Sequence, residues 1–136
     1  MQLKKNLRFS ILILFLPIMV KANIKDSVKV YIENHPEIQF KEVVFKQFCW
    51  ETGYFKSKLF TKYNNIAGIK YNNKGYCKGK IKGYAKYDDW KCSIDDYIRI
   101  QKRILTKYKA CTNTQYIISL RKYGYAKDNY FKKLKV

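Results

Sequence analysis

Glu51 closes an apolar run, Val43-Val44-Phe45-Lys46-Gln47-Phe48-Cys49-Trp50, and Thr52-Gly53 follow it at once. At helical spacing it shares a face with Val44, Gln47 and Phe48. A carboxyl group at the end of an apolar face, with aromatic neighbours, loses the hydration that favours its charged form. Its pKa is expected to rise toward the range a general acid needs near neutral pH. An acid kept protonated in this way can hand a proton to a departing oxygen, the first task in glycoside hydrolysis. Most glutamates at helix ends are merely solvated charges, so the surrounding residues must decide between the two readings.

That chemistry commonly uses a second carboxylate, to activate a water or to attack the sugar itself. The segment from Ile66 to Tyr87 has no Asp or Glu, which leaves Asp88, Asp89, Asp95, Asp96 and Asp128. Asp96 reads as part of a helix cap opened by Ser93. Asp128 reads as the start of the last helix, and Asp88-Asp89 as a turn. No Cys/His cluster has metal-ligand spacing, and the single histidine, His35, sits in the loop-like Asn34-His35-Pro36. Neither a metal nor a cofactor is expected.

The elements that must position Glu51 follow from periodicity and punctuation. A short first helix is predicted over Asp26 to Glu33, capped by Asp26 or Ser27 and broken by Asn34-His35-Pro36. The helix carrying Glu51 runs from about Phe40 to Thr52, with Gly53 as its stop. Ser57 caps a short third helix through Thr61, and Asn64-Asn65 with Gly68 turn the chain into extended structure. Turn-rich stretches and short alternations between Ile69 and Tyr87 predict a small β-hairpin lobe. A long helix from Ser93 to about Tyr108 and two shorter ones, Thr114 to Lys122 and Asp128 to Leu134, complete an α+β plan that is mostly helical.

Size and charge narrow the partners. The 136 residues allow one domain with an adequate core. The net charge is +19, yet only four of the 29 basic residues are arginine, Arg8, Arg99, Arg103 and Arg121. Specific nucleic-acid readout leans on arginine forks, and the lysines are scattered along the chain, so no specific nucleic-acid partner is expected. A diffuse lysine coat suits an anionic cell envelope. Residues 1–22 read as an export signal: Lys4, Lys5 and Arg8, an apolar stretch from Phe9 to Val20, and the cleavage site Val20-Lys21-Ala22. Twelve apolar residues are short of the roughly 20 that span a bilayer, although an uncleaved anchor is the alternative. Cys49, Cys77, Cys92 and Cys111 all follow the leader, and either two disulfides or four packed thiols fit an exported chain.

Four ordered blocks carry a resemblance. They are Gln47-x-x-x-Glu51-Thr52-Gly53-x-Phe55-x-Ser57; Asn64-Asn65-x-x-Gly68-Ile69-Lys70; Gly83-Tyr84-Ala85-x-Tyr87-x-x-Trp90-x-x-Ser93-x-x-Asp96-Tyr97; and Gly124-Tyr125-Ala126-x-Asp128-x-Tyr130. From about Phe40 to the C-terminus the chain resembles the glucosaminidase domain of glycoside hydrolase family 73, in the short type found in Bacteroidetes and their phages. The resemblance implies a lysozyme-like fold over residues 23–136, with the acid at the end of a core helix and the hairpin as the opposite wall of a cleft. It implies hydrolysis of the β-1,4 bond after N-acetylglucosamine in peptidoglycan, with Glu51 as the acid and Tyr125 as the second functional residue. Asn65, Tyr84 and Tyr130 are the substrate contacts it suggests. Peptidoglycan strands and the anionic envelope are then the partners of an exported monomer in the periplasm or outside the cell.

This chain also departs from the family pattern. Many members place a glutamate in the β-lobe, often in Thr-x-Glu, and none stands here. Catalysis by a single acid, helped by tyrosines and the substrate's acetamido group, is the expected substitute; a glycan-binding module that no longer cuts is the alternative. Lys41 stands where Pro is frequent, Lys46 and Phe48 where Ala is, Ala67 where Phe is common, and Asp128-Asn129-Tyr130 lacks a usual Pro. Trp50 replaces an apolar residue, usually Leu, and is expected in the core. Trp90 is expected to anchor the hairpin to the long helix.

Overall fold

The computed structural model describes residues 23–126 and 128–134, so the leader expected over residues 1–22 lies outside the described part. Helix α1, Ile24–Asn34, starts earlier than expected because Asn23, whose side chain accepts from the Lys25 N–H, is its cap. It buries Val28 and Ile32. Helix α2, Lys41–Glu51, buries Val43, Val44, Gln47, Phe48 and Cys49 and has no side-chain cap, since Phe40 enters it in left-handed conformation. Thr52 ends α2 by returning both its N–H and its hydroxyl to the Phe48 carbonyl. Ser57 caps α3, Lys58–Thr61, by accepting from the Phe60 N–H, as expected.

The β-lobe is small. Strands β1, Gly79–Ile81, and β2, Tyr84–Lys86, pair antiparallel, with Gly79 opposite Lys86 and Ile81 opposite Tyr84. Lys82 and Gly83 both have positive φ, 47° and 82°, as a two-residue turn matched to strand twist requires. The far edge of β2 is covered: Ala85 donates to the Ile69 carbonyl and Tyr71 to that of Gly83. The lobe thereby becomes a wall three segments wide.

Helix α4, Trp90–Tyr108, is the longest element and starts a turn before Ser93. Asp89 is its cap, accepting from the Lys91 N–H at 2.6 Å. The expected capping role of Asp96 is therefore corrected. Asp96 is fully buried inside the helix and accepts from Tyr87, Asn72 and Arg99. Trp90 packs edge-on against Tyr31, ring centroids 5.3 Å apart, and so ties α4 to α1 as well as opening the helix. Helices α5, Asn113–Tyr123, and α6, Asp128–Lys132, follow, with Gly124 ending α5 at φ 78°. The result is an α+β fold, mostly helical with a two-stranded lobe, consistent with a lysozyme-like plan.

The core between α2, α4 and α5 combines apolar packing with a hydrogen-bonded polar chain. Phe48 meets Tyr97 edge-on at 5.0 Å, while the Tyr97 hydroxyl donates to Gln47 Oε1 at 2.5 Å and pairs with the Tyr116 hydroxyl at 2.8 Å. Gln101 continues the chain to Tyr116 and to the backbone of Gln39. Buried polar groups are tolerated when satisfied, and here they fix one relative placement of three helices. The four cysteines are free: Cys49 is buried, Cys77 and Cys92 are half-buried, and Cys111 is exposed. Neither two disulfides nor four packed thiols describes them.

Candidate active site

The last turn of helix α2 delivers Glu51 to a cleft of about 670 Å3. Residues 67–72, Lys74, Tyr84 of β2 and Arg99, Ile100 and Arg103 of α4 also line it, with Tyr123, Tyr125 and Tyr130 from the C-terminal part of the chain. Glu51 is the only carboxylate among the described residues lining this space. Burial raises its pKa, and the nearby Tyr130 hydroxyl partly opposes that rise. The charge of Glu51 in turn pushes the Tyr130 hydroxyl up, as does its own burial. Tyr130 Oη and Gln47 Nε2 are buried without a partner at good hydrogen-bond geometry. The Tyr130 hydroxyl approaches both Glu51 and Gln47.

Gly68 explains how the carboxyl is covered. Its φ of 63° is left-handed, and a Cβ there would lie 2.5 Å from Glu51 Oε2 and 3.2 Å from Cδ. The turn glycine is also the roof of the acid, and any side chain would displace it. Two residues hold this roof. Asn65 is 1% exposed; its amide donates to the Ile69 and Ala85 carbonyls while its oxygen accepts from the Ile69 N–H. The expected sugar contact by Asn65 is corrected accordingly: the amide is committed to backbone and brackets the 65–69 turn against β2. Tyr125 lines the cleft, but its hydroxyl donates to the Ala67 carbonyl at 2.6 Å. Its pKa is pushed well up, first by burial and then by the charge of Glu51.

Tyr84 and Tyr130 both line the cleft, with the Lys70 ammonium 3.5 Å from the Tyr84 ring centroid. Trp50 is not a core residue: it is 36% exposed and lines the cleft, while Phe48, Cys49 and Thr52 around it are buried. Residues the sequence did not single out also appear here. Lys70, Lys74, Arg99 and Arg103 make the wall facing Glu51 basic. Arg99 is gripped by buried Asp96 through two bonds, Nε at 2.8 Å and a terminal nitrogen at 2.6 Å. Only the left-over Asp96 without an exposed role could have signalled that grip. Asp88 faces Lys78 in solvent and Asp89 caps α4, so neither enters the cleft. Among the described residues no group of three or more His, Cys, Asp or Glu gathers as a metal site.

A desolvated carboxyl group, roofed by glycine and ringed by tyrosines, lines a cleft between a helical scaffold and a small β wall. Residues 29–136 match the family model of the glucosaminidase domain, described as mannosyl-glycoprotein endo-beta-N-acetylglucosaminidase, and the chain belongs to that family. No curated protein and no solved structure matched the chain.

Proposed function

We propose that the chain is an exported peptidoglycan hydrolase that cleaves the β-1,4 bond after N-acetylglucosamine, with Glu51 as proton donor. The observation that carries this reading is the burial of Glu51, which favours its protonated form, in a cleft of about 670 Å3. Proton delivery to the leaving oxygen lets positive charge build at the sugar's anomeric carbon. With no second carboxylate among the described lining residues, the substrate's own acetamido oxygen is the group placed to answer that charge. Tyr130 would tune the acid directly. Tyr125 would act by holding the Ala67 carbonyl, and with it the Gly68 roof, in register with Glu51. Tyr84 offers a ring to the sugar from the β wall. The chain is read as a monomer whose leader takes it to the periplasm or the cell exterior, where its lysines meet an anionic envelope.

The lone carboxylate also favours one competing reading, a module that holds glycan strands without cutting them. A zymogram over cell-wall substrate, followed by mass spectrometry of the released fragments, separates the two. Fragments ending in reducing N-acetylglucosamine support the hydrolase; retention on the wall without any fragment supports the binding module.

A further inference from the structure

Beside the cleft runs a second groove, about 780 Å3, between α1 and α2. Phe45, Cys49, Trp50 and Tyr54 are among its apolar lining, and Trp50 lines both spaces, so the two adjoin at its side chain. Trp50 and Tyr54 are 36% and 51% exposed, with ring centroids 5.6 Å apart. An unusual turn puts them there. Gly53, Tyr54 and Phe55 have successive φ values of 54°, 55° and 66°. For residues with a Cβ such conformations are strained. Phe55 repays this by entering the core and donating its N–H to Thr52 Oγ1. Tyr54 instead donates its N–H to the Cys49 carbonyl at 2.7 Å and turns its ring to solvent. Strain that presents a large apolar side chain outward is the kind that gathers at ligand sites.

The rim supplies charge. Lys25, Lys29, Lys41 and Lys133 line the groove against Glu33 and Glu42, and the Lys133 ammonium lies 4.5 Å from the Trp50 ring centroid. Resting on the glycan-hydrolase reading above, we propose that this groove is a remote subsite for the same strand. A sugar ring lies its C–H face on Tyr54 and the open side of Trp50, as apolar faces do on aromatic rings. Carboxylates of the peptides that hang from such a strand meet Lys133 and the lysine rim. An anionic bilayer would also be drawn to the lysines, but it favours a projecting apolar surface. These rings line a groove that meets the cleft at Trp50.

The test uses the full chain carrying Glu51→Gln, so that ligand is not consumed, and Trp90→Phe, which leaves Trp50 as the one tryptophan reporter. Fluorescence titration with peptide-bearing glycan strands of several disaccharides is compared with titration by a single disaccharide-peptide. Tyr54→Asn removes the ring while tolerating left-handed backbone. It should weaken long-strand binding about two- to tenfold, the worth of one aromatic contact, and leave the short ligand unaffected. Tyr54→Phe should retain the affinity, and Lys133→Ala should weaken the long strand independently. The proposal is overturned if Tyr54→Asn and Lys133→Ala leave long-strand affinity unchanged, or if they weaken only binding to phosphatidylglycerol vesicles. If the native chain binds strands with this pattern but never cuts them, the hydrolase reading fails and the subsite stands. Cutting by a native chain whose long-strand affinity ignores both variants gives the reverse.

Discussion

Glu51 is held between burial, which favours its neutral form, and Tyr130, which favours the charged one. The net pKa lies above the ordinary 4.5, so the folded chain holds this proton more tightly than the unfolded chain does. The stability that follows is complete below the unfolded value and is lost as pH rises through the folded one. Glu51→Gln carries no such proton. Its melting temperature should match that of the native chain at about pH 4 and exceed it at about pH 7. Equal melting temperatures at both pH values in a calorimetric scan would mean that the carboxyl is solvated. Gly68→Ala addresses the same atoms from the other side. Its Cβ would collide with Glu51 Oε2. Displacing a reacting group by about 1 Å can cost about 10²-fold in rate. A Gly68→Ala protein with native near-ultraviolet dichroism and native turnover would show that the roof is irrelevant. The burial of Glu51 was legible from the helix face it shares with Gln47 and Phe48. The contact with Gly68 was not, because a turn glycine announces a backbone conformation and nothing about what faces it.

At the scale of elements, the β wall and α4 are locked by one buried acid. Asp96 accepts from Tyr87 at 2.8 Å, from Asn72 at 3.0 Å and from Arg99 at 2.8 and 2.6 Å. Removing one member of a buried pair leaves an uncompensated charge, at a cost of about 3–5 kcal/mol. Asp96→Ala should therefore lower stability to urea by about that amount. A loss below about 1 kcal/mol would place Asp96 with ordinary surface pairs. Ser93-x-x-Asp96 looked like a helix start because that spacing caps helices. The helix in fact begins a turn earlier at Asp89, which converts both residues to interior ones: Ser93 Oγ accepts from the Ile66 N–H, and Asp96 faces the lobe. The order of helices, the hairpin and the Ser57 cap were readable because their signals are local. Trp50 and Asn65 were misplaced because their roles depend on which side of α2 the core covers and on which backbone the 65–69 turn meets.

Across the whole molecule the formal charge is +19, and Lys70, Lys74, Arg99 and Arg103 line the cleft that holds Glu51. Attraction to an anionic wall is screened over about 8–10 Å at ordinary ionic strength. Binding of the Glu51→Gln chain to purified sacculi should weaken steadily with added salt, as read by co-sedimentation. Salt-independent binding would assign adhesion to the aromatic surfaces alone. The central claim, that Glu51 donates the proton in glycan cleavage, is tested most directly by turnover. Native and Glu51→Gln proteins are incubated with a defined muropeptide polymer, and new reducing ends are counted by mass spectrometry. The amide keeps the shape of the acid but cannot release a proton, so the expected loss is about 10²–10⁴-fold, with reducing N-acetylglucosamine as the native product. A Glu51→Gln protein that kept more than about a tenth of native turnover would contradict the claim.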